Sequence, residues 1–253
     1  MNKFKMTLIA SSVVASLSAF AVPTYADDAP AVTVSGSAAV VSDYRWRGLS
    51  QTFKKPAVQV GIDLGLPAGF YAGFWGSSIS SAALGVQDLA GMETDWYGGY
   101  NYAVNDDLSF DVGGIYVYYP MNSGNSGINT TEWHIAATYK WLTAQYNINS
   151  SKYYGVVDSK GSSYIQLDGH YPLTDSLTLD GHIGHQRVKG TNGFSYTDWS
   201  LGATYSLPKD WAVSLAYVDT NASKDMFSMT TWDGATTKDL AGPTAVLSVT
   251  KSF

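Results

Sequence analysis

Asp43, Arg45 and Arg47 form the sharpest charged constellation in the sequence. On an extended chain alternate side chains share a face. The trio would therefore present one acid and two bases to the same space, to contact an ion or solute or to pair with each other. A second, dispersed set follows the same parity rule: Asp63, Glu93, Asp95, Asp111, Glu132, Asp168, Asp180 and Asp198, with Lys140 as a further base. Rings of side-chain charge set ion selectivity in a pore, and this set is acidic on balance. The 4 histidines suggest a metal less than they first might. His182 and His185 fall on opposite faces of a strand, so they do not chelate together. His170 and His182 share a face with Asp168 and Asp180, but a metal needs a matched ligand set and geometry, and none is expected. With 0 cysteines, disulfides, Cys-zinc sites and thiol nucleophiles are excluded. Serine, histidine and aspartate are available for a hydrolytic triad, yet no nucleophile elbow or barrel-lipase motif is present. Neither an enzyme nor a cofactor is expected, and at net charge -6 nucleic acid is a poor partner.

The elements that must carry these residues are strands. Charged residues make up 14% of the chain, below the roughly 25% of soluble domains. Aromatics also reach 14%, and mean hydropathy is only -0.07, which excludes a helical membrane bundle. Beyond residue 26 no apolar run approaches the roughly 18 residues of a membrane helix. Apolar side chains instead recur at every second position, the signature of strands. The first run places Val32, Val34, Gly36, Ala38, Val40, Tyr44 and Trp46 on one face. Later runs set Trp133, Ile135 and Ala137 against Glu132 and His134, and Trp199, Leu201 and Ala203 against Asp198 and Ser200. Twelve such runs are expected; the one at 69–77 is aromatic on both faces and cannot be oriented from sequence.

Connections sort into two kinds. Five are short and rich in turn formers, at 66–69, 104–107, 140–143, 172–176 and 207–210. Six are longer, at 51–56, 78–92, 120–130, 151–162, 189–195 and 220–242. The two kinds alternate strictly. Turns on one side and loops on the other are how outer-membrane barrels are built. The expected fold is all-β: a transmembrane antiparallel up-and-down barrel of about 12 strands. Its apolar face meets lipid, with Trp46, Trp96, Tyr116, Tyr118, Trp133, Trp141, Tyr205 and Trp211 in two girdles. The polar face lines the interior. Loop 220–242 is long enough to fold inward as a plug or constriction.

Residues 1–26 read as a signal peptide. Lys3 and Lys5 precede an apolar stretch, Met6 to Phe20, and Thr24-Tyr25-Ala26 offers a cleavage site after Ala26. The barrel is expected over 27–253, in the cell outer membrane. Phe253 closes an alternating strand with Leu247 and Val249 at the same parity. It resembles the signal read by the barrel assembly machinery, which is an expected partner. Lys251 departs from the usual apolar residue there and is expected to snorkel to the interface.

Ser42-Asp43-Tyr44-Arg45-Trp46-Arg47-Gly48-Leu49-Ser50-Gln51, followed by Gly69-Phe70-Tyr71-Ala72-Gly73-Phe74-Trp75-Gly76-Ser77, closely resembles the TorF-type porin family, a proteobacterial group also known as a Gcw_chp-type family of unknown function. The resemblance covers the mature chain through Val249-Thr250-Lys251-Ser252-Phe253. It implies an outer-membrane barrel with a pore function, names no substrate and supplies no catalytic residues. The expected function is a narrow water-filled channel for small solutes or ions with a mild cation preference. The alternatives are a non-conducting structural or adhesive barrel and, behind it, a barrel hydrolase.

Overall fold

The computed structural model describes residues 32–121 and 127–253. The expected signal peptide, 1–26, lies outside them. Twelve strands close into one antiparallel barrel. They are β1 (Thr33–Val41), β4 (Ala57–Gly65), β5 (Phe70–Ser78), β6 (Met92–Ala103), β7 (Leu108–Tyr118), β8 (Thr130–Tyr139), β9 (Leu142–Asn149), β10 (Ser163–Pro172), β11 (Leu177–Arg187), β12 (Tyr196–Leu207), β13 (Trp211–Thr220) and β16 (Thr244–Ser252). β1 pairs with both β4 and β16, which closes the sheet. Two small hairpins stand apart from the wall: β2 (Arg45–Trp46) with β3 (Leu49–Ser50), and β14 (Ser228–Thr230) with β15 (Thr237–Asp239).

The alternation in sequence becomes an inside and an outside. Along β12, Tyr196, Asp198 and Ser200 are buried, whereas Trp199, Leu201 and Tyr205 are exposed. The same split recurs around the wall, so Val58, Ile62, Val112, Ile135, Ile165, Leu167, Ile183, Leu215 and Leu247 all face out. This inverts a water-soluble protein. A continuous apolar belt on a closed sheet is stable only against hydrocarbon, and closure leaves no strand edge unpaired there. No helix among the described residues is long and apolar enough to cross a membrane. Outward aromatics pack edge-on across strands, Phe74 on Trp96 at 4.8 Å and Trp141 on Tyr171 at 5.4 Å. The run that sequence leaves unoriented, β5, turns Phe70 and Phe74 outward. Tyr71 and Trp75 turn inward, to Asp111 and to Tyr44.

The tight turns lie at one end of the barrel. Asn105 Oδ1 accepts from the backbone N–H groups of Asp107 and Leu108, and Thr174 Oγ1 does the same for Ser176 and Leu177. Lys140 belongs to this set rather than to the lumen. The turn between β8 and β9 needs a positive φ there (55°), and its amine stands half-exposed on the rim, 3.7 Å from Asp107. Its expected pore-lining position is thereby corrected. Lys251 sits at the same rim, with its amine 3.6 Å from Asp210. Phe253 exchanges two backbone hydrogen bonds with Gly36 and lays its ring against that glycine, where a Cβ would not fit.

A larger correction concerns the first strand. It stops at Val41, and 42–56 is an inward connection rather than strand followed by a short loop. Tyr44 and Trp46, expected to face lipid, are buried inside. Length is the reason: a run from 32 to 47 exceeds the roughly 9–11 residues that a tilted strand needs to span.

Candidate functional site

The lumen is graded from one end to the other. At the turn side Asp63, Asp111 and Asp180 are half-buried. Asp63 accepts from the Tyr97 hydroxyl at 2.6 Å, and Asp111 accepts from Tyr71 at 2.9 Å and meets His134 at 2.6 Å. Asp180 meets His170 at 2.8 Å and accepts from Thr204 at 2.7 Å. Toward the loop side, Glu93, Asp95, Glu132, Asp168 and Asp198 are each 1–2% exposed. His182 lies between two of them, 2.6 Å from Asp168 and 2.8 Å from Asp198. His185, by contrast, is exposed and contacts Thr197. Among the described residues no three His, Asp or Glu side chains gather to hold a metal ion.

The loop-side half is filled by the 42–56 connection. Arg45 pairs with Ser50 and Trp46 with Leu49, so Arg47 and Gly48 make a two-residue turn with φ of 47° and 78°. Two positive φ values are the geometry of the tight hairpin turn whose twist matches its strands. Gly48 is required for a second reason. A Cβ there would collide with the Thr220 methyl and lie 2.8 Å from Asp198 Cβ, so the turn is pressed against the wall.

Asp43 organises the base of the hairpin. Its carboxylate accepts from Arg45 Nε at 2.8 Å, Ser50 Oγ at 2.6 Å and Thr52 Oγ1 at 2.9 Å. Arg45 Nη1 then donates to the carbonyls of Gly48, Leu240 and Gly242, tying the hairpin to the 221–243 connection. Phe53 packs with Ala82, Ala83 and Leu240, which joins three connections into one apolar cap. Thus Asp43 and Arg45 pair locally, and Arg47 is separated from them.

Arg47 crosses the barrel. In the closed strand order β9 and β10 stand opposite β1 and β4, from which the hairpin springs. The guanidinium is received there by three side chains. Glu132 takes it in two bonds, 2.5 Å to Nη2 and 3.1 Å to Nη1, and Gln186 Oε1 accepts from Nη1 at 2.7 Å. The Tyr164 ring lies under it with 4.1 Å between the guanidinium carbon and the ring centre. Burial acts against the charge of Arg47, but Glu132 outweighs it and holds the group more basic than usual.

Phenols surround this pair. Tyr44 donates to Glu93, and Tyr153 and Tyr154 from the 150–162 connection stack edge-on at 4.8 Å. Burial, followed by nearby Glu93, raises the Tyr44 and Tyr119 phenols well above their ordinary value. Burial and Glu132 do the same to Tyr154, and burial pushes Tyr153 up to about 12. All four stay neutral hydroxyls across ordinary pH. Among the described residues Glu93 Oε2 and Asp95 Oδ1 meet no hydrogen-bond partner.

The structure therefore gathers Arg47 and Glu132, which the sequence names only separately, and groups Asp168 and Asp198 on His182. Tyr164, Gln186, Asn149 and the phenol cluster are missed by the sequence reading. Glutamine, asparagine and tyrosine on a polar face carry no signal that separates them from ordinary lumen residues. The over-long first run is the one feature that could have exposed the hairpin.

No curated protein matches the sequence. The family model described as "Bacterial protein of unknown function (Gcw_chp)" matches residues 25–253. Among solved structures, the KdgM porin is similar with a TM-score of 0.53 and 10% identity, over 87% of this chain and 99% of that one. The KdgM porin in complex with disordered oligogalacturonate gives 0.54 and 10%, over 87% and 99%. The NanC porin gives 0.50 and 10%, over 86% and 98%. At such identity the likeness is one of fold.

Proposed function

This chain belongs to the Gcw_chp family of bacterial proteins, and from that membership and its barrel we propose that it is an outer-membrane channel of the TorF-type porin kind. It passes small polar solutes or ions with a preference for cations. Residues 1–26 direct its export, with cleavage after Ala26, and the Phe253 strand presents it to the barrel assembly machinery. One observation carries the channel reading. A closed barrel turns eight acids inward from its wall, five of them buried and three half-buried, while apolar side chains cover its outside. Carboxylates in a water-accessible lumen attract cations and repel anions. Asp63, Asp111, Asp180, Asp168 and Asp198 line the path from the turn side. Glu93, Asp95, Glu132 and Arg47 line its loop-side half, where the hairpin held by Asp43 and Arg45 fills the passage.

The seated hairpin supports reading this as a gated channel. Twelve strands lie between the eight that side chains fill and the sixteen or more that leave an open pore. A single connection is therefore enough to close the passage. The test is current through purified protein in a planar bilayer under a salt gradient. A reversal potential of the sign for cation selectivity is expected. Anion selectivity would overturn the charge argument. A silent membrane, for the native chain and for a hairpin-loosened variant alike, would favour a sealed structural barrel.

A further inference from the structure

The receptor around Arg47 belongs to the wall, not to the hairpin. Gln186 Nε2 donates to the carbonyls of Ser163 at 3.1 Å and Arg187 at 3.3 Å, which leaves its Oε1 aimed into the lumen. Asn149 Nδ2 donates to Glu132 Oε1 at 3.1 Å and fixes that carboxylate. The Tyr164 hydroxyl donates to Asp198 at 2.9 Å and lies 3.0 Å from His182, which holds the ring in place. Every one of these supports comes from β8 to β12. None involves residues 42–56. These supports would hold the receptor in place without Arg47.

Its chemistry is specific. A carboxylate offering two parallel acceptors matches a planar guanidinium. An amide oxygen adds a third acceptor beside it, and an aromatic face takes the flat, weakly hydrated cation. An ammonium ion would use the carboxylate but neither the paired bonds nor the stack. We propose that this receptor is a binding site for guanidinium-bearing solutes, occupied at rest by the chain's own Arg47 as an internal surrogate. A solute that binds there competes with Arg47 and unseats the hairpin, so recognition and opening are one event. The proposal deepens the channel reading and rests on it for access to the site.

The probe is methylguanidinium chloride, compared with sodium chloride and methylammonium chloride at equal concentration. Arg47→Ala empties the receptor and lowers thermal stability in detergent. Methylguanidinium at ten times its dissociation constant is expected to restore about 3–6 °C of midpoint beyond the two control salts. Arg47→Ala combined with Glu132→Gln should show no such recovery. Equal recovery with all three salts, or recovery that survives Glu132→Gln, overturns the proposal. Should Arg47→Ala fail to refold, Arg47→Gln takes its place in the same assay. In bilayers methylguanidinium should raise the opening frequency of the native chain several-fold over sodium, and in a chain that conducts, no difference overturns the coupling of binding to opening. Recovery of stability in a barrel that never conducts sustains the receptor and sinks the channel. Conduction without recovery does the reverse.

Discussion

Replacing Glu132 by Gln is the most incisive perturbation of the closed state. The substitution keeps side-chain size and leaves the Arg47 guanidinium, 6% exposed, without its counter-charge. Breaking a buried pair by removing one partner costs about 3–5 kcal/mol. The lower end applies here. The Gln carbonyl still accepts one bond from Arg47, and Gln186 and the Tyr164 ring remain in place. At about 1.4 kcal/mol per tenfold, a loss of about 3 kcal/mol weakens the seated hairpin roughly a hundredfold against the withdrawn one. Single-channel recording reads this as the fraction of time open. Glu132→Gln should raise that fraction by up to about two powers of ten before it saturates. A double-mutant cycle with Arg47→Ala should return a coupling of about 1–3 kcal/mol. Currents indistinguishable from the native chain, alongside a lowered unfolding temperature, would refute the latch and leave a purely structural ion pair.

Three further outcomes follow from the same geometry. Gly48→Ala leaves every charge in place, but its φ of 78° and the pressure against Asp198 and Thr220 leave no room for a methyl. It should strain the turn by about 1–3 kcal/mol and raise open time, as recorded in bilayers. Gly184→Ala would drive a methyl into the Tyr164 hydroxyl, whereas Gly181→Ala meets nothing within 4 Å. Thermal melts should show the first losing about 1–3 kcal/mol and the second within about 0.5 kcal/mol of native. Leu201→Arg places a charge on the outer face at a mid-strand position that is 70% exposed. Folding into lipid vesicles should become less favourable by about 2–4 kcal/mol, and an unchanged value would argue that this face does not meet hydrocarbon.

The lumen also explains why several of its wall positions are glycine. Gly113 lies under the Tyr71 hydroxyl and His134, where a Cβ would come within 2.6 and 2.7 Å. Tyr97 covers Gly73 in the same way. Inward phenols thus lie flat on neighbouring strands instead of standing in the pore. This lets a ring donate sideways to a carboxylate, as Tyr97 does to Asp63 and Tyr71 to Asp111. The turn-side half keeps its acids accessible because these rings occupy the wall. The loop-side half is filled by an inserted hairpin.

Much of this architecture is written locally. The side of the sheet on which Leu201 or Asp198 falls follows from a period of two, and lipid outside permits only one assignment of the faces. Strand number and the sides of the turns follow from runs and gaps along the chain. The orientation of β5 needed its partners, because aromatic rings fall on both of its faces and only Asp111 beside Tyr71 inside and Trp96 beside Phe74 outside tell the faces apart. The hairpin was beyond sequence for a sharper reason. Arg47 finds Glu132 85 residues away and Gln186 139 residues away. A local pattern cannot say which strand will stand opposite which until the sheet has closed. Alternation sent Asp43, Arg45 and Arg47 to one face of a strand. The strand ends at Val41 once it has spanned the wall, and closure of the barrel places an aromatic and carboxylate wall within reach of the chain that turns inward.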